Sequence, residues 1–471
     1  MSRFLVIAAT GVFFGVSLVF PSAALACGLC DTYDTPVYHA ATEAAPAETI
    51  PLLSSRPGAA YTVYLNFGGF DYVGAWGDTG KSPDVVPAYA GSAAQIAEAW
   101  ARTSEKFAAF DVNVTTIDPS GFAPTDYLAR QNYYDDAARV IHTVVGGSNA
   151  WFRTGIGGVS YVGVADKAFP NTNGLHTNWA FPANLGGTGT NGSKNIAEAA
   201  AHEYGHALGL WHQNDHAHNP KNTYSTNNRA SGTGSYAPLM GTTYLSQRGT
   251  WRVGTIVGGE SQNDVAAIGR NDAMGFASSP VGESFDAATP LPLFGTTVDA
   301  VRAQGVIRPV SLSNPNAIGI ENYTKNYFRF SLAGETFASL TAFDGDDWLT
   351  PGVVAPGATL RSRLNLYRAG DRLAPFAVAS EASDTMSRTW SGVLGAGEYF
   401  AEITSFGGYT SAYDPSSHYF DMGSYLLRGA LTPVVVPEAG TMAMVLCAVC
   451  WLTVGNAVWR AGRKRREPSF R

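Results

Sequence analysis

Five of the chain's nine histidines crowd into residues 202–218, and three of them share a spacing with one glutamate that could do chemistry. The stretch reads His202-Glu203-Tyr204-Gly205-His206-Ala207-Leu208-Gly209-Leu210-Trp211-His212. On a helix His202 and His206 are i and i+4, so both imidazoles leave one face a turn apart and can grip one tetrahedral metal ion. Glu203 projects beside them, close enough to hold a water at the metal without being a ligand. Gly209 can adopt a positive φ and end the helix, which lets the chain turn back and bring in His212 as a third ligand. Three neutral imidazoles leave the fourth position to water, as a catalytic Zn2+ requires. A structural site would need a fourth protein ligand and has no use for Glu203. The expectation is one catalytic Zn2+ on His202, His206 and His212, with Glu203 as general base.

The spacing HExxHxxGxxH resembles the metzincin motif of zinc endopeptidases. That resemblance covers about residues 60–277 and is most specific over 194–241. It implies peptide-bond hydrolysis, with a protein or peptide as substrate. It also implies a tight turn with a methionine beneath the metal, and Tyr236-Ala237-Pro238-Leu239-Met240-Gly241 fits by position, making Met240 the candidate. Some metzincins carry a metal-touching tyrosine two residues after that methionine. Here the position is Thr242 and the nearest tyrosine is Tyr244, so the role is not carried over. The residue after the third histidine, Gln213, points to no subfamily. His216 and His218 read as loop residues because the motif is complete without them, and Asp215 could accept a hydrogen bond from a ligand.

The elements that must position this cluster can be read from pattern. Tyr61 to Phe67 is a β-rich run closed by Gly68-Gly69. Ser92 with Gln95 forms a capping-box signature, and Ile96, Trp100 and Phe107 share one face of a helix reaching about Ala109. Val112 to Ile117 alternates as a strand. Further strand candidates are Arg139 to Val145, Val159 to Val164 and Thr177 to Phe181, with His142 and His176 as strand or loop residues. A helix begins near Ser193. This order predicts an α/β (α+β) fold: a metzincin-like catalytic domain over residues 59–277, with a twisted mixed sheet and an active-site helix. By the same resemblance Val159 to Val164 is the edge strand on which an extended substrate pairs. Beyond about Ser278 helical periodicity disappears, and short strands alternate with Gly, Asp and Pro turns, the pattern of an all-β sandwich over residues 278–432. Tyr327-Phe328-Arg329-Phe330, Leu364-Asn365-Leu366-Tyr367 and Gly395-Ala396-Gly397-Glu398-Tyr399-Phe400 resemble the bacterial pre-peptidase C-terminal domain. Asp344-Gly345-Asp346-Asp347 in that region reads as a solvated acidic turn, with Ca2+ binding as the alternative.

The two ends read as addresses. Arg3, the apolar run Phe4 to Phe20 and Ala24-Leu25-Ala26 have the form of a cleavable signal peptide over residues 1–26, so the chain is expected to be exported. Residues 27–58 are a linker or short pro-segment. Cys27, directly after Ala26, leaves open a lipid anchor; Cys27 and Cys30 also leave open a local disulfide or a thiolate cap on the metal. Thr441 to Trp459 is uncharged and spans roughly 28 Å as a helix, enough for one bilayer crossing. Arg460, Arg463, Lys464, Arg465 and Arg466 follow it. With Val436-Pro437-Glu438-Ala439 before it, the 433–471 segment resembles the PEP-CTERM sorting signal of Gram-negative bacteria. The resemblance implies a cell-surface or envelope location, a membrane span that sorting can remove, and an exosortase-type enzyme as partner.

Composition sets the remaining bounds. A net charge of −7 leaves no Lys/Arg surplus to neutralise phosphates, which excludes a basic nucleic-acid binder. Apolar residues at 45% exclude a disordered polar chain, and the other two cysteines, Cys447 and Cys450, lie in the apolar run, so no cysteine pair staples the body. A different class of function, a catalytically silent surface or matrix-binding protein that retains a metal site, suits the β region equally. Hydrolysis of a non-peptide polymer is a third.

Overall fold

Ser92 and Gln95 begin the first long helix by satisfying each other's backbone. The Ser92 hydroxyl accepts from Gln95 N–H, and Gln95 Oε1 accepts from Ser92 N–H at 2.9 Å. The helix runs Ala93–Phe107 and buries Ile96, Trp100 and Phe107. In the computed structural model the described residues are 50–169, 174–214, 224–225, 235–294, 300–350, 353–379, 386–410 and 416–434. The expected signal peptide, Cys27, Cys30, Asp215, His216, His218 and the 435–471 segment lie outside them.

Strand Tyr61–Asn66 lies between Val112–Thr115 and Val140–Val145, parallel to both. Thr177–Ala180 adds in parallel to Val140–Val145, and Gly158–Val159 closes the sheet as an antiparallel edge strand. The central strands read as Val/Ile/Tyr runs because both their faces are covered. The histidine helix, Gly192–Ala207, packs on Ala93–Phe107 and on strand Thr177–Ala180.

Edge strand Gly158–Val159 is shorter than the expected Val159 to Val164. Past it the backbone donors turn to the end of the histidine helix. Gly163 N–H bonds to His206 O, and Val164 and Ala165 N–H bond to Ala207 O, each at 2.9 Å. These carbonyls have no partner within the helix itself. A helix not expected from pattern, Tyr127–Asp136, carries no apolar stripe; Arg130 and Tyr134 fix it by bonding to the Asp118 carboxylate.

Taken over the described residues, the chain is mostly β. Twenty-two strands in several sheets stand beside four α-helices, Ala93–Phe107, Tyr127–Asp136, Gly192–Ala207 and Asp264–Ile268. This corrects the expected α/β (α+β) class, and no metzincin-like α/β core is indicated. The reason is the turn chemistry: few stretches sustain a 3.6-residue apolar period, and Gly, Pro, Asn and Asp break the rest into short extended runs.

Residues 289–433 form two sheets. One is five-stranded, from Thr289–Pro290 through Lys325–Leu332, Gly397–Ser405 and Ser362–Arg368 to Ala377–Ala379. The other is four-stranded, from Val301–Ile307 through Gly423–Pro433 and Thr336–Asp344 to Ser387–Leu394. These sheets are not set apart from the earlier residues. Arg252–Thr255 pairs with Ser261–Asn263 on one side and with His418–Tyr419 on the other. Glu105 Oε1 accepts from Asp346 N–H at 2.9 Å, Trp348 Nε1 at 2.6 Å and Ser424 Oγ at 2.7 Å. One core runs through both halves.

No helix among the described residues is long and apolar enough to cross a membrane. The expected span Thr441 to Trp459 falls outside those residues, and with no spanning helix found the transmembrane reading and its membrane partner are withdrawn. The acidic turn is also not solvated. Asp344 Oδ1 accepts from Ser362 N–H and Oγ at 2.7 Å, with Arg388 Nη2 3.6 Å from Oδ2, and both Asp347 oxygens accept from Arg302 Nη2 at 2.8 Å, with Gln304 Nε2 3.3 Å from Oδ1. Those two carboxylates are held by the chain's own cations, while Asp346 Oδ1 accepts from Gln304 Nε2 and from Asp347 N–H.

Candidate metal centre

The histidine helix ends at Gly209, whose φ is +95°. Leu210 N–H reaches back to Gly205 O at 3.0 Å and Gly209 N–H to His206 O at 2.8 Å, the paired bonds of a Schellman motif. A side chain at position 209 would strain this conformation, so glycine is what lets the chain reverse here. Three residues later His212 comes back against the helix it has just left.

His202, His206 and His212 are all buried, and one ligand atom from each lies within 4.8 Å of the others. His206 Nε2 and His212 Nε2 are 2.9 Å apart. The outer nitrogens are occupied: His202 Nδ1 bonds to Leu239 O and His206 Nδ1 to Leu210 O, each at 2.7 Å. A carbonyl can only accept, so these bonds place the proton on Nδ1 and leave Nε2 as a lone-pair donor facing the other rings. Burial pushes His202 down to about 4; burial and His202 push His206 down to about 3, and His212 lies well below its ordinary value for the same causes. All three are neutral at pH 7, as metal ligation demands. The buried three-histidine cluster could hold a metal ion, and it is the sole group of its kind among the described residues.

Glu203 is 3% exposed and lies against the edge strand. A β-carbon on Gly158 would meet its Cγ at 2.7 Å, so glycine at that position makes room for the carboxylate. Beneath the helix, Pro238-Leu239-Met240-Gly241 forms a tight turn closed by Gly241 N–H to Pro238 O at 2.9 Å. Met240 is fully buried, and its Sδ would lie 2.6 Å from a β-carbon on Gly205. The same turn supplies the Leu239 carbonyl that orients His202.

Two residues without an expected role, Tyr224 and Gln213, sit at this centre. Tyr224 OH is 3.3 Å from His212 Nε2, with ring centroids 4.4 Å apart. Nothing in its sequence neighbourhood marks it. Gln213 is fully buried and ties the third histidine down: its N–H bonds to Met240 O at 2.8 Å, its O accepts from Ser225 N–H at 2.7 Å, and its Nε2 donates to Asp264 Oδ1 at 2.8 Å. Asp264, raised to about 7 by burial, also accepts from Arg252 N–H and Gln262 Nε2. The signal for Gln213 was its place beside the third histidine, and its use is structural. His142 and His176 lie elsewhere, buried beside Tyr134.

No family model matches the chain. No curated protein matches it either. Solved structures that resemble part of it include three from different proteins. The pre-peptidase C-terminal domain of a collagenase from Bacillus anthracis is 12% identical, with a TM-score of 0.18, covering 30% of this chain and 91% of that one. The periplasmic inhibitor of g-type lysozyme from Aeromonas hydrophila is 11% identical, with a TM-score of 0.16, over 31% and 96% of the two chains. A family 35 carbohydrate binding module from an environmental isolate is 16% identical, with a TM-score of 0.15, over 35% and 93%. The first is the kind of domain expected of residues 278–432, and the structural likeness is loose.

Proposed function

We propose that this protein is an exported zinc-dependent endopeptidase. The observation that supports the reading is the convergence of three neutral, buried imidazoles on one point, with the Glu203 carboxylate held beside them against an edge strand. The donor set fits zinc: three nitrogen ligands, each of low proton affinity, two of them oriented by carbonyls. A zinc ion bound there would supply a Lewis acid and lower the pKa of a water towards ~7. Glu203 would take a proton from the water that adds to the scissile carbonyl and pass it to the amine that leaves. The edge strand Gly158–Val159, paired with Thr177–Ala180 on one side, lies against Glu203 and would be where an extended peptide adds. The resemblance of the His202–His212 spacing to the metzincin motif supports the same chemistry, and the signal-peptide pattern of residues 1–26 supports export.

A second reading, a metal site that does not turn over, draws on Tyr224. A hydroxyl 3.3 Å from His212 Nε2 sits where it would close the position a water needs. A quenched peptide library, digested with and without chelator, separates the two. Chelator-sensitive cleavage supports the endopeptidase. No cleavage by zinc-loaded protein, with cleavage gained in Tyr224→Phe, supports the silent site. Release of reducing sugars without amines would point instead to a polymer other than protein.

A further inference from the structure

Far from the histidines, the Ala93–Phe107 helix faces a cavity of about 190 Å3 against the loop after strand Thr336–Asp344. Arg102 and Glu105 line it, three residues apart and therefore neighbours on one helix face. Both are inside the protein, at 8% and 1% exposure. Glu105 uses Oε1 for three donors, from Asp346, Trp348 and Ser424, and its Oε2 has no hydrogen-bond partner. Arg102 uses Nε for Glu98 at 2.9 Å, and its Nη1 is likewise buried without a partner. A buried polar atom left unbonded is costly, so two such atoms, one from an arginine and one from a glutamate that both line the cavity, call for an explanation. On the loop side Leu349 and Val353, 46% and 55% exposed, stand beside Asp346, Asp347 and Thr350 and leave the cavity an open mouth.

We propose that this cavity binds a free aliphatic α-amino acid. Its ammonium answers Glu105 Oε2, its carboxylate answers Arg102 Nη1, and its side chain lies against Leu349 and Val353. The volume is below the ~300–1,000 Å3 of pockets for larger ligands, which fits one residue and not a peptide. The paired charges argue likewise, since an internal peptide residue has neither a free ammonium nor a free carboxylate. This site shares no residue with the metal centre and stands independently of the endopeptidase reading.

The test is calorimetric titration of the full chain with L-leucine, with chelator present. Saturable binding is expected, weakened by about tenfold or more in Arg102→Met and in Val353→Trp, which obstructs the mouth. Leucinamide, lacking the carboxylate, and 4-methylpentanoate, lacking the ammonium, should each bind at least about tenfold more weakly than leucine. The proposal is overturned by absence of leucine binding, by equal binding of either analogue, or by unchanged affinity in both variants. Binding seen only when chelator is omitted would place leucine at the histidines and overturn it as well.

Discussion

Gly158 on the edge strand and Glu203 on the histidine helix approach so closely that a β-carbon on Gly158 would lie 2.6 Å from Glu203 Oε1. That contact sets where the carboxylate stands relative to the three imidazoles. Gly158→Ala should push it aside, with the carbonyl of Trp179 blocking relief on the other side at 2.7 Å. Misplacement of a catalytic group by about 1 Å can cost on the order of 10²-fold, so peptide hydrolysis should fall by about that factor while zinc content stays at the wild-type value. Turnover measured beside atomic absorption checks this, and unchanged turnover would show that Glu203 does not act from that position.

Gly205 and Met240 form the second close approach. A methyl group at position 205 would sit 2.6 Å from Met240 Sδ in a fully packed interior. Overpacking of this kind costs about 1–3 kcal/mol, so Gly205→Ala should unfold at lower denaturant, with Met240→Ala in the same chain restoring part of the loss. Equal midpoints for Gly205→Ala and wild type would remove the contact from the account.

Strand pairing across residue 278 predicts what truncation does. Without the later residues, strand Arg252–Thr255 loses its neighbour His418–Tyr419, and the buried Glu105 loses all three of its donors. Lys106, whose Nζ lies 2.9 Å from Glu198 Oε1 with both side chains fully buried, loses its bond to Gly357 O. A chain of residues 50–277 should therefore show no cooperative thermal transition. A sharp transition near that of the full chain would mean that the first segment folds on its own.

His142 gives a pH dependence with a definite sign. It is fully buried between Tyr64 and Tyr134, and burial with Arg130 nearby holds it well below its ordinary value. Its Nε2 lies 3.0 Å from Asn66 Nδ2, an amide that can only donate, so the ring is neutral. The unfolded chain takes up a proton near pH ~6.5 that the folded one refuses, so this contribution is present above pH ~6.5 and lost as pH falls below it. The stability difference between wild type and His142→Phe should shrink from pH 7 to pH 5, by up to about 1.4 kcal/mol per pH unit. Denaturation curves at both pH values read it, and a constant difference would contradict a neutral His142.

The chemistry was more legible in the sequence than the architecture. His202, Glu203, His206, Gly209 and His212 are neighbours in the chain; local helical geometry brings the first three together, and the turn at Gly209 returns His212. The capping box at Ser92 and Gln95 is local too, and it forms as the pattern implies. Tyr224 could not be found this way, because its place beside His212 is made by a long-range fold. Glu105 carries no local signal either, because its burial depends on Asp346, Trp348 and Ser424, more than two hundred residues away. The fold class failed for a related reason. Within residues 59–277 two periodic helices point to an α/β core, while strands there such as Gly158–Val159, Arg248–Thr250 and Arg252–Thr255 are too short to show alternation of their own.

The most direct measurement is hydrolysis of a quenched peptide library by the wild-type chain and by Glu203→Gln, each with its zinc content determined on the same sample. Three histidines that hold zinc and a glutamate that moves the proton predict equal zinc in both proteins and a fall in turnover of about 10²–10⁴-fold in the variant. Turnover in Glu203→Gln equal to that of the wild type, at equal zinc, would contradict the account.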